Sequence, residues 1–369
     1  MNRILIAAAG TGGHVFPALA VAERLRRYGW QVVWLGTTEQ RLEARIVPAA
    51  GFTLEQIDMR GMRGHGVVRK LLAPWQLFRA FLQCRKLLRQ HRSQLVLTFG
   101  GYVCGPAGLA ARWCGIPLLV HEQNAVAGLT NKLLARVASH TMVGFAAARQ
   151  QLHNAEVTGN PLREDWLSEI IDEPTTEQPF TVLVVGGSLG AQALNEAVPE
   201  AVGQLNNKAQ LKIIHQCGTG RIADVEQAYQ RACIEQVQVV EFIEAMHYAY
   251  QQADVVICRA GALTVSELAV VGTPAIFVPL PHAVDDHQTA NARELVNAGA
   301  AYLLPQSELK SVKPLTRLLG ELRSQPELRL QLRQNAAKAA RPDATEAVVS
   351  QCERWANAEQ SKAGDYDKK

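Results

Sequence analysis

Short apolar runs alternate along the chain with longer stretches that carry apolar residues at helical spacing. This pattern is typical of β–α units, in which helices cover a parallel sheet. A first series of predicted strands comprises residues 3–9, 31–35, 95–99, 117–121 and 141–143, and a second comprises 181–185, 212–216, 238–242, 254–258 and 275–278. The chain is therefore predicted to be an α/β protein.

The segment 164–179 lies between the two series and is rich in Glu, Asp, Thr and Pro, which predicts an interdomain linker. A chain of 369 residues exceeds what one hydrophobic core usually supports, and 48% hydrophobic residues can fill two. We therefore expect one domain over 1–163 and a second over 180–342. A last helix is predicted over 343–356, with a polar tail over 358–369.

Clustered glycines follow a predicted strand near the start of each half, in GTGGH and in GGSLG. The backbone N–H groups of such a turn, together with the start of the next helix, can bind a phosphate. Neither cluster fits the dinucleotide fingerprint, since Val15 stands where its third glycine would be, and no GK[ST] phosphate loop is present. Each cluster alone is equally compatible with a tight turn.

A third turn of this kind is CRAGALTVSE, residues 258–267. Ala262, Leu263 and Thr264 would present backbone donors, and Glu267 could accept hydrogen bonds from ribose hydroxyls. The alternative is that Glu267 is an ordinary acid favoured by the helix dipole.

In the next connection, Gln288 and Asn291 stand three residues apart on one helical face and could bind sugar hydroxyls. A solvated helix start capped by Asp285 or Asp286 is the competing interpretation.

Charge is divided unevenly along the chain. The net charge of +4 combines +13 over residues 1–163 with −9 over the remainder, and no acidic residue lies between Asp58 and Glu122. This separation favours a surface that faces phosphate, anionic lipid or nucleic acid. No signal sequence and no apolar run of about 18 residues occurs, so we expect an unexported protein without a membrane span. Seven scattered cysteines without CxxC spacing predict neither disulfides nor a zinc site.

The segment 69–92 lies in the acid-free region and mixes apolar residues at helical spacing with basic ones. A basic amphipathic helix suits an anionic membrane surface, at about 1 kcal/mol for each basic residue near it. The alternative is a helix packed in the core with a solvated basic face. We favour membrane contact through Arg69, Lys70, Leu72, Trp75, Phe78, Arg79, Phe81, Leu82, Arg85, Lys86 and Arg89. A nucleic-acid-binding module is a further alternative, although no recognised motif for it is present.

Eight segments, in this order and at these intervals, resemble the MurG family of GT-B glycosyltransferases: GTGGHVFPALA, TFGGYVCGP, HEQNAVAGLTNK, GNPLR, VVGGSLGAQALN, EFI, CRAGALTVSE and DDHQTANA. The resemblance extends from Arg3 to about Ala356. It implies a GT-B architecture, with two Rossmann-like parallel-sheet domains facing across a cleft. It also implies that the last helix packs back on the first domain.

The resemblance further implies which residues form the site. The donor UDP-sugar would be bound by Thr11, Gly12, Gly13, Asn124, Arg163, Ser188, Ile243, Ala262, Leu263, Thr264, Val265, Ser266, Glu267 and Gln288. Of these, Ile243 would meet uracil and Glu267 the ribose, and Arg163, Ser188 and the 262–264 turn would meet the diphosphate. Gln288 and Asn124 would hold the sugar, while the 11–13 turn would line the cleft from the acceptor side. Gly100, Gly101 and Tyr102 would lie near the acceptor diphosphate.

The implied activity is inverting transfer of N-acetylglucosamine from UDP-N-acetylglucosamine to the C4 hydroxyl of an undecaprenyl-pyrophosphoryl N-acetylmuramyl-pentapeptide, lipid I. The product is the β(1→4) disaccharide lipid II. His14 is the candidate general base, because imidazole titrates near neutral pH, and Glu122 is the rival. No DxD or His-rich cluster is present, so neither a metal nor a cofactor is expected.

The implied location is peripheral, at the cytoplasmic face of the bacterial inner membrane. The expected partners are both substrates, the anionic membrane surface and other cell-wall synthesis proteins, but not nucleic acid. Three alternatives share the fold: a transferase to diacylglycerol, a UDP-N-acetylglucosamine epimerase and a nonenzymatic membrane adaptor. The first two would differ in the first domain, and an adaptor would be expected to lose Glu267, Arg163 or His14.

Overall fold

A computed structural model describes residues 1–39, 41–59, 67–167, 179–187 and 190–366 of the chain, and describes the backbone alone for 67–73, 284 and 359–366. The chain divides into two compact units. Met1–Arg163 with Pro342–Lys369 form the N-terminal unit, and Glu164–Arg341 form the C-terminal unit.

The strands of the described residues are β1 (Arg3–Ala8), β2 (Gln31–Thr37), β3 (Thr53–Ile57), β4 (Leu95–Gly100), β5 (Leu118–Glu122), β6 (His140–Val143), β7 (Ala155–Val157), β8 (Phe180–Val185), β9 (Leu211–Gln216), β10 (Val237–Val240), β11 (Val255–Cys258), β12 (Ala275–Phe277) and β13 (Ala301–Leu303). The helices are α1 (Gly12–Arg27), α2 (Leu42–Ala49), α3 (Val67–Gln90), α4 (Cys104–Trp113), α5 (Leu129–Ala135), α6 (Ala146–Arg149), α7 (Gln192–Gly203), α8 (Ile222–Arg231), α9 (Met246–Gln252), α10 (Ala262–Val271), α11 (His287–Asn297), α12 (Lys313–Ser324), α13 (Pro326–Ala339) and α14 (Ala344–Tyr366).

Each unit is built on one parallel sheet. The strand order is β3-β2-β1-β4-β5-β6-β7 in the N-terminal unit and β10-β9-β8-β11-β12-β13 in the C-terminal unit. The strand order reverses between β1 and β4 and between β8 and β11. The loops at the carboxyl ends of these strands are the usual ligand sites of such sheets. The α/β class predicted from the hydrophobic pattern is confirmed.

The N-terminal sheet is buried on both faces, which explains why its central strands are mainly apolar rather than alternating. Alternate residues of β1 join different clusters: Ile4 and Ile6 pack with α1, whereas Leu5 and Ala7 pack with α3 and α4. The last helix, α14, packs against α1. Its Val348, Val349, Cys352 and Ala356 are buried in the same cluster as α1. The first and last segments of the chain thus share one core.

Three strands were not predicted from the sequence, and all three lie at or beside a sheet edge: β3, β7 and β13. An edge strand is covered on fewer sides, so its sequence need not be continuously apolar. The residues of β3, for example, are TLEQI, and only Ile57 is buried. The polar tail predicted over 358–369 is also partly helical, since α14 continues to Tyr366. Ala, Glu, Gln and Lys, which are common there, are good helix formers.

Among the described residues, no helix combines the length and apolar character needed to cross a membrane.

Candidate functional site

The N-terminal unit brings two glycine turns together where its strand order reverses. One turn follows β1 and leads into α1, and the other lies at the end of β4, with Gly100 as the last residue of that strand and Gly101 after it. Gly101 has a φ of +92°, and a Cβ there would lie 2.5 Å from the carbonyl oxygen of Ala9. The two turns can approach this closely because no side chain stands between them.

His14 lies half-buried in the first turn of α1, directly over the second glycine turn. Its Nδ1 is 3.2 Å from the carbonyl oxygen of Ala9. A carbonyl can only accept a hydrogen bond, so the neutral ring carries its proton on Nδ1 and its lone pair on Nε2. A Cβ on Gly100 would lie 2.7 Å from Nε2. Glycine at this position therefore leaves the space in which the imidazole lies.

The turn before His14 packs against an aromatic ring that also contacts a cation. A Cβ on Gly12 would lie 2.9 Å from Cε2 of Phe16, and the guanidinium of Arg163 lies 5.9 Å from the centre of the Phe16 ring. Thr11 is exposed, and Gly13 is half-buried beside it. In the second turn, the ring of Tyr102 is half-buried. These predicted residues form one group at the carboxyl ends of β1 and β4.

Glu122 is buried at the end of β5, and its carboxylate accepts four hydrogen bonds. Oε1 accepts from the backbone N–H and the side-chain amide of Asn124, at 3.0 and 3.2 Å. Oε2 accepts from the backbone N–H of Gly128 at 3.0 Å and from the side-chain amide of Asn131 at 2.8 Å. The carboxylate thus holds the loop that carries Asn124.

His121, a buried histidine of β5, connects the loop that carries Asn124 to the segment GNPLR, residues 159–163. His121 donates from Nε2 to the carbonyl of Gly159 at 2.9 Å, and its Nδ1 accepts from the amide of Gln123 at 3.0 Å. The amide of Asn160 donates to the carbonyl of Gln123 at 3.1 Å. Burial lowers the pKa of His121 to about 4. His121 is therefore a neutral structural residue at physiological pH.

In the C-terminal unit, the glycine turn after β8 is held by Gln216, a buried residue at the end of β9. Its Oε1 accepts from the N–H of Gly187 at 3.1 Å, and its Nε2 donates to the carbonyl of Gly187 at 3.0 Å. Gly187 has a φ of +85°, and Gly190 a φ of +72°. Ser188 lies outside the described residues.

The turn after β11 opens α10 with a glycine N-cap. Gly261 has extended backbone, and no described side chain caps this end of the helix. The amides of Ala262, Leu263 and Thr264 form its first turn, where a helix favours an anion. Behind them, Val265 is buried and the Ser266 hydroxyl donates to the carbonyl of Ala262 at 3.0 Å. Glu267 is half-buried one turn into the helix.

The neighbouring residues Asn291 and Gln288 differ in exposure. Asn291 is fully buried, and its amide donates to the carbonyl of Ala260 at 3.1 Å, so it positions the α10 turn rather than facing a ligand. Gln288 is half-buried, and its Oε1 accepts from the N–H of Leu280 at 2.9 Å. Ile243 is half-buried in the loop after β10.

The basic helix α3 presents two apolar stripes. Ala80, Cys84 and Leu88 are buried in the core beside α4, and Phe81 is half-buried against them. A second stripe points outward, with Trp75 59% exposed, Phe78 49% and Leu82 43%. On α4, Trp113 is 71% exposed and lies edge-on to Phe81, with ring centres 6.1 Å apart. The side chains of Arg69, Lys70 and Leu72 lie outside the described residues.

This outward stripe belongs to a larger apolar surface with basic neighbours. Exposed apolar side chains continue from α3 through α4 to α5 and the loop that follows, at Leu109, Leu129, Leu133 and Val137. Arg79, Lys86 and Arg89 are exposed on α3, whereas Arg85 is half-buried. We give the name α3–α4 surface to eight exposed residues of these two helices: Trp75, Phe78, Arg79, Leu82, Lys86, Arg89, Leu109 and Trp113.

Two residues that hold the glycine turns were not predicted from the sequence: Gln216 and Glu43. Glu43 lies on α2 and accepts a hydrogen bond from the N–H of Gly10 at 3.0 Å. Each is far along the chain from the turn it contacts, and neither stands in a recognisable motif. The signal that identifies them is burial of a polar group, which is visible only in three dimensions.

Within the described ranges, no group of three or more His, Cys, Asp or Glu side chains is placed to hold a metal ion.

The sequence matches two family models in succession: the glycosyltransferase family 28 N-terminal domain over residues 4–143 and the glycosyltransferase family 28 C-terminal domain over residues 181–348. A curated relative from Idiomarina loihiensis is 53% identical, with 95% of this chain and 98% of the relative covered. Its name is UDP-N-acetylglucosamine–N-acetylmuramyl-(pentapeptide) pyrophosphoryl-undecaprenol N-acetylglucosamine transferase.

Solved structures show the same fold. The crystal structure of MurG from Acinetobacter baumannii is 43% identical and superposes with a TM-score of 0.81, covering 96% of this chain and all of that one. A UDP-GlcNAc 2-epimerase from Neisseria meningitidis has a TM-score of 0.68 over 95% of this chain and all of the epimerase, at 12% identity. That similarity shows a common fold alone. From its two family 28 domains and its full-length similarity to MurG proteins, the chain belongs to the MurG family of GT-B glycosyltransferases.

Proposed function

We propose that the protein transfers N-acetylglucosamine from UDP-N-acetylglucosamine to lipid I, forming lipid II. The observation that carries this proposal is 53% identity to a transferase of that name over nearly the full length of both chains. The similarity includes the first domain, where a diacylglycerol transferase or an epimerase would differ, so these alternatives are not favoured.

The C-terminal unit supplies the groups that suit the donor. The first-turn amides of α10 can hold the diphosphate, since they lie at a helix start with a glycine cap. Glu267 can accept from the ribose hydroxyls, Gln288 can meet the sugar, and the backbone of Ile243 can meet uracil. Three further residues join the proposed donor set because they stand in segments that resemble the family motifs. They are Ser188, and Asn124 and Arg163 of the N-terminal unit.

The N-terminal unit supplies the groups that suit the acceptor. The turns at 11–13 and 100–102 present backbone N–H groups to a diphosphate, and His14 lies between them. Its Nε2 lone pair accepts the proton of the acceptor C4 hydroxyl as the C4 oxygen attacks the anomeric carbon. The bond to the UDP oxygen breaks at the same time, which inverts the configuration. Arg163 and backbone N–H groups stabilise the negative charge of the departing UDP. This scheme requires no metal.

Glu122 is less suited than His14 to be the base. Its two oxygens already accept four N–H donors, so a proton from the acceptor would have to displace one of them. In the neutral ring of His14, Nδ1 donates to the carbonyl of Ala9, so the lone pair that can accept a proton is on Nε2. We therefore assign proton transfer to His14 and loop positioning to Glu122.

The α3–α4 surface is the proposed membrane contact. Exposed Trp and Phe side chains beside Arg and Lys suit the headgroup region of an anionic bilayer. Contact there would keep the protein at the cytoplasmic face of the membrane, where its lipid-linked acceptor is anchored.

Incorporation of labelled sugar from UDP-N-acetylglucosamine into organic-extractable lipid tests the proposed function. We expect label in the lipid I product and none in diacylglycerol offered at equal concentration. Label in diacylglycerol would support the other transferase, and conversion of the free UDP-sugar without lipid labelling would support an epimerase.

A further inference from the structure

Glu43 is a fully buried carboxylate, with 0% of its surface exposed, at the start of α2. Its Oε2 accepts from the N–H of Gly10 at 3.0 Å. Its Oε1 accepts from the hydroxyl of Thr37 at 3.1 Å and lies 3.4 Å from the N–H of the same residue. A Cβ on Gly36 would lie 2.9 Å from Cγ of Glu43, so glycine there makes room for the side chain.

The N–H that Glu43 holds belongs to the same peptide group as the carbonyl that His14 contacts. The peptide between Ala9 and Gly10 donates its N–H to Glu43 and accepts at its oxygen from Nδ1 of His14. A peptide group is planar, so fixing its N–H also fixes the direction of its carbonyl. Gly10 has a φ of +102°, a conformation that glycine adopts without the steric cost that a side chain would add.

We propose that Glu43 is a positioning residue for His14 and acts through the Ala9–Gly10 peptide. This inference rests on the proposed role of His14 as the base. The carboxylate holds the peptide so that its oxygen faces Nδ1, which keeps the proton on Nδ1 and the lone pair on Nε2. When Nε2 takes the acceptor proton, the ring becomes cationic and its hydrogen bond to Ala9 strengthens. The negative charge of Glu43 polarises the intervening peptide in the direction that supports this change.

A purely structural role for Glu43 would give a different outcome. Loss of a structural carboxylate lowers stability and the amount of folded enzyme, but the folded fraction keeps its turnover number. A positioning role lowers the turnover number of the folded enzyme and leaves donor binding unchanged. Variants must therefore be compared at equal folded concentration, measured by urea unfolding.

The first test measures the kinetics of Glu43→Gln and Glu43→Ala in the full chain. We expect kcat to fall on the order of tenfold to a hundredfold, as misplacement of a reacting group by about 1 Å does, with KM for UDP-N-acetylglucosamine within about twofold of the parent. Glu55→Gln is the matched control, because Glu55 is a half-buried carboxylate of the same sheet that pairs with His91 at 2.8 Å. If both Glu43 variants keep the parent kcat, the proposal is wrong.

A double variant tests whether Glu43 acts through His14. Adding Glu43→Ala to His14→Ala should lower kcat by less than about twofold, because the residue it positions is already absent. A full multiplicative loss in the double variant would show that Glu43 acts elsewhere and would overturn the proposal. Glu43→Gln has nearly the same shape as the parent side chain and carries the test if Glu43→Ala does not fold.

A spectroscopic readout separates this inference from the proposed function. The nitrogen chemical shifts of His14, assigned by comparison with His14→Ala, should show the Nδ1–H form in the parent and a mixture of both forms in Glu43→Ala. An unchanged Nδ1–H form in the variant would contradict the positioning role, whatever the activity. Failure of the parent to label lipid, by contrast, would reject the transferase proposal while leaving the tautomer measurement interpretable.

Discussion

At the scale of single residues, the sequence located the turns but not the groups that hold them. The glycines at 10, 100, 101, 187 and 190 all have positive φ, as expected of turns that must bring backbone close to backbone. The turns at Gly10 and Gly187, however, are each held by a polar side chain from a distant segment, Glu43 and Gln216 respectively. A hydrogen bond across more than twenty residues leaves no periodic trace in a sequence, so such partners required the structure.

His14 and Glu122 are separated experimentally by their effects on turnover and on binding. We expect His14→Ala to lower kcat by about a hundredfold to ten-thousandfold, with donor KM within a few-fold of the parent, because the proton acceptor is lost. Glu122→Gln should mainly raise donor KM and lower stability, because its amide faces N–H donors in the loop that carries Asn124. Steady-state kinetics on purified variants decide the matter. A kcat loss below about tenfold in His14→Ala, together with collapse in Glu122→Gln, would reverse the assignment.

A buried histidine should make the stability of the C-terminal unit depend on pH. His215 accepts at Nδ1 from the hydroxyl of Tyr229 at 2.8 Å and donates from Nε2 to Asn195 at 3.0 Å, and burial lowers its pKa to about 3. In the unfolded chain, His215 binds a proton near pH 6.5, whereas in the folded chain it binds one only near pH 3. The free energy of unfolding should therefore fall as the pH is lowered through this window, by about 1.4 kcal/mol per pH unit for this group.

Urea unfolding between pH 7 and 4 measures this slope. In His215→Gln, which cannot titrate, the slope should be flatter by that amount, although the variant is less stable at every pH. His121 contributes a similar slope to the N-terminal unit and serves as the internal comparison. Equal slopes in the parent and the variant would show that His215 is accessible to protons in the folded chain.

At the scale of elements, the sequence predicted central strands well and edge strands poorly, for the reason that burial on two faces leaves the stronger apolar signal. The same limit applies to α3. Its sequence allows one broad apolar face, whereas the structure divides the apolar residues between a core stripe and an outward stripe. The helix packs in the core through Ala80, Cys84 and Leu88, as the alternative interpretation expected, while Trp75 and Phe78 are exposed and membrane contact stays a prediction. Periodicity alone does not show which apolar residues of α3 belong to the core stripe and which to the outward stripe.

The α3–α4 surface should govern membrane association without governing chemistry. We expect Arg79→Glu, Lys86→Glu and Arg89→Glu together to release the protein from vesicles of anionic lipid, since each basic residue near such a surface contributes about 1 kcal/mol. Turnover of a soluble short-chain acceptor should stay near the parent value. Added salt should weaken the parent's binding in the same direction by screening.

The matched control reverses the same number of charges in the C-terminal unit, with Arg231→Glu, Arg317→Glu and Lys338→Glu, all at exposed positions. We expect this control to sediment with the vesicles as the parent does. Equal release by both triple variants would mean that net charge, rather than this surface, sets membrane binding.

At the scale of the whole molecule, two properties follow from the order of segments along the chain. The excess of positive charge lies in residues 1–163, the part that carries the α3–α4 surface, while the remainder is acidic. The N-terminal unit is also discontinuous, since Pro342–Lys369 joins Met1–Arg163. The hydrophobic pattern predicted a last helix but did not show where it packs. An apolar stripe indicates that one face of a helix is buried, but it does not indicate which element covers that face.

The last helix should be required for the stability of the unit at the opposite end of the chain. Val348, Val349, Cys352 and Ala356 are at most 1% exposed, and Arg24 of α1 forms an ion pair with Glu346 of α14. Each buried valine contributes about 1.5 to 3 kcal/mol, so loss of this helix removes a large share of the roughly 5 to 15 kcal/mol that stabilises a domain. A chain ending at Asp343 should therefore lose the calorimetric transition of its N-terminal unit, while UDP still raises the transition temperature of the C-terminal unit. A chain ending at Asn357 keeps all four buried residues and should unfold as the full chain does. Parent-like unfolding of the chain ending at Asp343 would show that α1 and its sheet form a stable core without α14.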